Sequence, residues 1–199
     1  MIDENVYRWV LLAILVSGAG VSIYFRRKGA KSGGPISPRD NGLAIDTLLS
    51  LFGFGAMASV VTYLINPKWM AWSQLELVPQ LRLLGGLLGL IALALLFWTL
   101  RHLGANVTRT ARTRSHHTLV TGGPYRWARH PLYSSGVVLC AAYVLLTANW
   151  FILLMCGLAS AVLRARTSRE EANLIKKFGD DYRAYMKRTG RFLPRLRAS

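Results

Sequence analysis

The sequence predicts an all-α membrane protein of five transmembrane helices, the last two a tight hairpin, followed by a helical tail on the cytosolic side. Three observations carry that prediction. First, the 199 residues are 52% hydrophobic yet carry a formal net charge of +16, a pairing that a soluble globular domain rarely shows. Second, several apolar runs reach the length of about 20 residues that a helix needs to cross a bilayer. Third, drawing five helices places 22 of the 25 Lys and Arg residues on one side, the asymmetry that orients membrane proteins. One compact unit over 1–199 is the prior for this length. Three membrane helices fill 1–100, and most of the polar chemistry lies in 101–199.

The first run, Val6–Phe25, follows Asp3 and Glu4. A cleavable signal peptide would instead open on a basic stretch and offer a small-residue cleavage site, so the run is expected to stay as a helix. The segment Arg26–Asn41 includes KGAKSGGPISPRD, whose Gly, Ser and Pro content reads as a flexible connector. Leu43–Ile65 is the second run, with Asp46 a turn inside it. The outer loop Asn66–Gln80 carries Trp69 and Trp72, aromatics suited to the headgroup level. In the third run, Leu81–Leu100, Gly85 and Gly89 stand four apart, a spacing that permits close helix approach.

A loop of about thirty residues comes next, too long for a mere connector. The apolar stretch Gly136–Leu163 that follows is too long for one upright span, and Thr147-Ala148-Asn149 interrupts it. It divides into Pro131–Leu146 and Trp150–Arg166. Past it, Ser168 and Glu171 have capping-box spacing, predicting a separate helix that starts there. Leu174, Ile175 and Phe178 give that helix an apolar stripe, and Gly179 is its expected stop. Asp180 can begin a second short helix carrying Tyr182, Tyr185 and Met186.

Counting cations by segment gives five in Arg26–Gly42, six in Arg101–His130 and eleven in Arg164–Ser199. The expected topology therefore puts the N-terminus outside and the C-terminus in the cytosol; four helices would strand the basic tail on the wrong side. Anionic lipid headgroups are the expected partners of that charge. Nucleic acid is not expected, because the charges sit beside membrane helices. Cys140 and Cys156 lie within membrane segments and read as packing residues, and no CxxC or His/Cys cluster suggests a metal site.

The densest chemistry is YRWARHPLY, Tyr125 to Tyr133. Proline favours the first position of a helix, so the fourth helix is expected to start at Pro131 with His130 near its cap. Such a start attracts anions, and Arg129 adds a planar fork that matches a carboxylate. The upstream TGGPY turn lets backbone approach a ligand closely. Marking the interface is an equally good account of Arg129 and His130 on these grounds alone. Glu170 and Glu171 are adjacent, so on a helix they point about 100° apart; one structural and one functional role is the expectation. Asp46, ionisable within a membrane segment, is a third candidate.

Two linked segments carry a resemblance. HTLVTGGPYRWARHPLYSSG and, after a hydrophobic hairpin, EEANLIKKFGDDYRAYMKRTGRFLP resemble the isoprenylcysteine carboxyl methyltransferase family, itself similar here to the phospholipid N-methyltransferases. The match runs from about Leu103 to Pro194, nearly half the chain. It implies an integral membrane enzyme that uses S-adenosylmethionine without a Rossmann domain. The implied cofactor contacts are His117, Leu119, Val120, Gly123, Tyr125, Arg129, His130, Tyr133 and one or both of Glu170 and Glu171. Arg129, Glu170 and Glu171 are the implied catalytic residues, and Arg191 is a further basic candidate. The chain departs from the family pattern at Val107, where many relatives have Trp, and at the spacer Ser135.

The acceptor implied is lipophilic or lipid-linked and enters from the bilayer: a prenylated cysteine carboxylate first, then a phospholipid amine or a small hydrophobic thiol. A reductase of the sterol type using NADPH, and a non-catalytic lipid-binding protein, are the competing readings. The expected location is a prokaryotic inner membrane.

Overall fold

In the computed structural model, residues 3–32, 43–104 and 118–195 are described. Among them the chain is all helical, with isolated bridges but no strand. The helices are α1 (Glu4–Ser32), α2 (Leu43–Ile65), α3 (Pro79–Leu103), α4 (Pro131–Thr147), α5 (Trp150–Phe178) and α6 (Asp180–Arg188). Four of them, α1, α2, α3 and α5, are long and apolar enough to cross a membrane, while α4 is an apolar helix of 17 residues.

These helices are apolar on most sides, so burial separates the faces rather than composition. Tyr7, Leu11 and Ile14 of α1 meet Val60 and Tyr63 of α2, Tyr143 and Leu146 of α4, and Ile152 and Cys156 of α5 in one core. Phe54, Leu87 and Leu90 face outward, Phe54 with 75% of its surface exposed. Exposed apolar side chains on this scale suit lipid as the surrounding medium. Cys156 is buried in the core and Cys140 packs against it, both as free thiols.

Glycine lets α3 come close to its neighbours. A Cβ placed on Gly85 would lie 2.9 Å from Leu145 Cβ and 3.0 Å from the Leu146 nitrogen of α4. One placed on Gly89 would run into Ile14 of α1. The four-residue spacing thus serves two different helices, which fixes α3 between them.

The α4–α5 hairpin turns where the sequence interrupts itself. Ala148 adopts φ 46°, ψ 53°, closing α4 in the left-handed region. Asn149 then caps α5: its Oδ1 accepts from the Phe151 nitrogen at 3.0 Å and the Ile152 nitrogen at 3.1 Å, the role asparagine fills at helix starts. Its Nδ2 donates to Ser73 Oγ at 2.8 Å, tying the turn to the short 3-10 segment Pro67–Ser73.

Two expectations need correction. Arg26–Ser32 continues α1 rather than starting a connector. The separate tail helix at Ser168 does not exist, because α5 runs unbroken from Trp150 to Phe178. No Gly or Pro stands between Arg164 and Phe178 to release the backbone, and a serine inside a continuous helix has no free N–H to cap. Gly179, at φ 56°, is the real stop, and α6 follows at Asp180 as expected.

Replacing Gly85 by Ala forces α3 away from α4 and should cost about 1–3 kcal/mol, as overpacking does. Gly157→Ala, with nothing within 4 Å of the added carbon, should leave the melting temperature in detergent unchanged.

Candidate functional site

The candidate site is assembled where α4 begins and α5 ends. Pro131 occupies the first turn of α4 with His130 at its cap. The segment just before it lies alongside the segment that follows α6. Gly190 N donates to Trp127 O at 3.1 Å, Arg129 N donates to Gly190 O at 2.9 Å, and His130 N donates to Arg191 O at 2.9 Å. Ser134 Oγ donates to Phe192 O at 2.6 Å. The two stretches singled out by sequence, WARHP and TGRF, are therefore zipped together through backbone. Gly190 permits the tail's own turn beyond it, since a Cβ there would clash with the Leu193 carbonyl oxygen.

Glu171 occupies the centre. It is 3% exposed. Its Oε1 accepts from Arg129 Nε at 2.8 Å and lies 3.3 Å from His130 Nε2, and its Oε2 accepts from Arg191 NH2. Arg129 NH1 turns to the tail backbone, donating to Thr189 O at 2.5 Å and to Met186 O at 3.3 Å. The carboxylate that the Arg129 fork grips is thus Glu171 itself.

Glu170 points elsewhere, as adjacent helix positions must. Tyr133 OH donates to its Oε1 at 2.7 Å, and Arg166 Nε lies 3.4 Å from the same oxygen. Its Oε2 has His130 Nδ1 at 3.6 Å, beyond a good hydrogen bond. The His130 and Tyr133 rings stack 5.5 Å apart at 5°, with Phe192 tilted 5.9 Å from His130.

Tyr125 is buried, and Tyr185 OH donates to its carbonyl oxygen at 2.5 Å, pinning α6 to the Gly123–Arg126 turn. Burial pushes the Tyr185 hydroxyl up to about 12, so it remains a donor at any ordinary pH. The Tyr125 hydroxyl is raised for the same reason. Gly123, at φ 59°, packs directly on the His102 ring, which glycine alone tolerates without strain.

Of the residues singled out by sequence, Arg129, His130, Tyr133, Glu170, Glu171 and Arg191 thus join one network. Tyr125 and Gly123 shape its wall. Leu119 and Val120 are half-buried in the approach to that turn, and His117 lies outside the described residues. Sequence reasoning missed Arg166, whose signal was its i,i+4 spacing to Glu170 on a helix that continues. It also missed Thr189 and Gly190, which act through backbone and leave no side-chain signature. Among the described residues no group of three or more His, Cys, Asp or Glu is placed to hold a metal ion.

A profile of the "Isoprenylcysteine carboxyl methyltransferase (ICMT) family" matches residues 85–176. The chain is 27% identical over 166 residues to the cobalt-zinc-cadmium resistance protein CzcN of Cupriavidus metallidurans, covering 81% of this chain and 73% of that one. It is 30% identical over 130 residues to the human protein-S-isoprenylcysteine O-methyltransferase, covering 62% of this chain and 44% of the human protein. The solved structure of a eukaryotic intramembrane Ras methyltransferase, ICMT, superposes with a TM-score of 0.53 at 21% identity, over 77% of this chain and 53% of that one. The chain thus spans about half the length of the solved protein, and less of the human one.

Removing the Glu171 charge leaves two guanidinium groups without their common partner, and breaking a buried ion pair from one side costs about 3–5 kcal/mol. Glu171→Gln should lower the melting temperature and expose the chain after Gly179 to trypsin. Intact resistance of that segment in the variant would show the network to be dispensable.

Proposed function

We propose that the chain, whose residues 85–176 match the isoprenylcysteine carboxyl methyltransferase family, is a membrane methyltransferase using S-adenosylmethionine. Its acceptor is lipophilic, and an isoprenylcysteine carboxylate suits it best. The observation that carries this reading is the meeting of Arg129–Tyr133 with Glu170–Glu171 in one buried network, both segments lying in the region the family shares.

The donor set fits the cofactor. Arg191 is partly exposed and engages Glu171 through one nitrogen, leaving donors for a carboxylate. Among the described residues Glu170 Oε2 has no donor closer than His130 Nδ1, so it is open to an ammonium group or a hydroxyl. One spare cation and one spare anion suit the zwitterionic amino-acid end of such a molecule. S-adenosylmethionine, when bound, supplies an electrophilic methyl group on a sulfonium.

A carboxylate acceptor is already ionised at neutral pH, so the protein has no proton to remove. What remains is orientation and exclusion of water. Glu170 and Arg191 would bind, and Tyr133 would hold Glu170 in place through its hydroxyl. Arg129 and Glu171 then serve as the frame, because Arg129 Nε and NH1 and both Glu171 oxygens are already committed to one another and to the tail. Of the two glutamates, Glu170 is the ligand-facing one and Glu171 the structural one.

Five crossings complete the reading. The 17 residues of α4 reach the lower end of the about 17–25 that span a bilayer. The basic ends of α1, α3 and α5 then share one side with the site, which is the cytosolic side by the charge rule. Anionic headgroups neighbour it there. A bacterial inner membrane is the corresponding location, in keeping with the bacterial relatives.

Isothermal titration of the purified protein with S-adenosylhomocysteine tests the cofactor, and transfer of a labelled methyl group to a farnesylcysteine tests the acceptor. Binding is expected. Undetectable binding at millimolar ligand would overturn the methyltransferase reading. Arg191→Ala should raise the dissociation constant about tenfold, equivalent to ~1.4 kcal/mol, and should also lower the melting temperature, but by less than Glu171→Gln, because Arg129 and His130 stay on the acid. Arg129→Ala should lower affinity and melting temperature together, since it dismantles the frame.

A further inference from the structure

Asp46 stands in the first turn of α2, more than a hundred residues before Glu170 and Glu171 in the chain. Its Oδ1 lies 3.8 Å from Arg166 NH1, and Arg166 Nε lies 3.4 Å from Glu170 Oε1. The Arg166 side chain is only 7% exposed and that of Asp46 only 17%. Asp46 Oδ1 and Arg166 Nε are both shut off from solvent, and neither makes a hydrogen bond. Buried charges with unmet hydrogen bonds are costly, and replacing such a pair by apolar residues is often neutral or stabilising. The arrangement is therefore poorly explained as a device for stability.

Neither closed-off atom can be touched by a ligand without rearrangement, but both bear on a group that can. Arg166 sits between two carboxylates on different helices. Coulombic attraction to Asp46 draws the guanidinium toward α2. Were Asp46 neutral, Arg166 would be free to close on Glu170, and its donors would compete for the oxygen now left open. With Asp46 charged, Glu170 Oε1 is shared between Tyr133 OH at 2.7 Å and a distant Arg166 Nε, while Oε2 stays open.

We infer that Asp46, acting through Arg166, is a positioning residue that sets Glu170 for ligand binding and makes α2 part of the site. The inference rests on the reading of Glu170 as the ligand-facing acid. It assigns function to a carboxylate far off in the chain, on the helix that the family profile does not reach.

The test is a titration of S-adenosylhomocysteine into the full-length protein and its variants, with melting temperatures measured alongside. Asp46→Asn should raise the dissociation constant about tenfold, while Asp46→Glu, which keeps the charge, should stay within about threefold of the parent, a difference readable at the precision of such affinities. In a Glu170→Gln background, Asp46→Asn should change affinity by less than about twofold, since residues that act through one another are not additive. A merely structural tie between α2 and α5 would instead produce the same factor in both backgrounds, and that result would overturn the inference. So would an unchanged affinity in Asp46→Asn. Should Asp46→Asn not fold, Arg166→Lys carries the same comparison: its loss of affinity must vanish in the Glu170→Gln background. Failure of the parent protein to bind at all is a different result, and would remove the methyltransferase reading together with the inference built on it.

Discussion

Taking a carboxylate out of water costs several kcal/mol unless donors replace the solvent it loses. Glu171 meets that demand with Arg129, His130 and Arg191. Arg129 and His130 come from the start of α4, and Arg191 from the extended stretch after α6. Glu171 itself rides near the end of α5. Satisfying one acid therefore requires three distant segments to meet, and the rest of the site follows from that meeting.

The consequence for α5 is direct. Only a helix that continues past the apolar span can carry Glu171 to the level of the α4 cap, and α5 continues for 29 residues. Once there, the helical rotation turns Glu170 away from the Arg129 side and toward Tyr133 and Arg166. Two neighbouring glutamates thus acquire separate surroundings without any special backbone geometry. The tail is held in turn by Tyr185 on the Tyr125 carbonyl and by Ser134 on the Phe192 carbonyl. The first of these bonds satisfies a buried backbone carbonyl that would otherwise be unpaired.

The opposite end of the bundle solves a similar problem with different residues. Arg82 of α3 donates to both oxygens of Glu4 at 2.7 and 2.8 Å, to Tyr63 OH at 2.9 Å and to the Leu146 carbonyl at 2.7 Å. Its guanidinium also lies 3.8 Å from the Tyr7 ring centre. Arg8 adds a bond to the Leu64 carbonyl at 2.6 Å. Four helices are thereby joined by one cation, and its donors are well used. The contrast with Arg166, whose buried Nε makes no hydrogen bond, marks the difference between a guanidinium placed for cohesion and one placed beside a site.

The local features of this chain are legible in its amino-acid order. Apolar length marks the membrane helices, Pro131 marks the start of α4, Gly179 marks a helix stop, and the Thr147–Asn149 break marks the hairpin, because each acts through its own backbone or its nearest neighbours; that α5 runs on past Arg166 to that stop is not marked. The WARHP and double-glutamate segments can also be recognised as belonging together. What the amino-acid order does not reveal is which glutamate is committed internally, that the Arg129 fork is closed by Glu171, or that Asp46 and Arg166 stand within reach of one another. Those relations join residues far apart in the chain, across helices whose apolar faces look alike in sequence. Only the packing of α2 on α5, and of the tail on the α4 start, brings such groups to a few ångströms, so tertiary structure alone decides the wiring of the site.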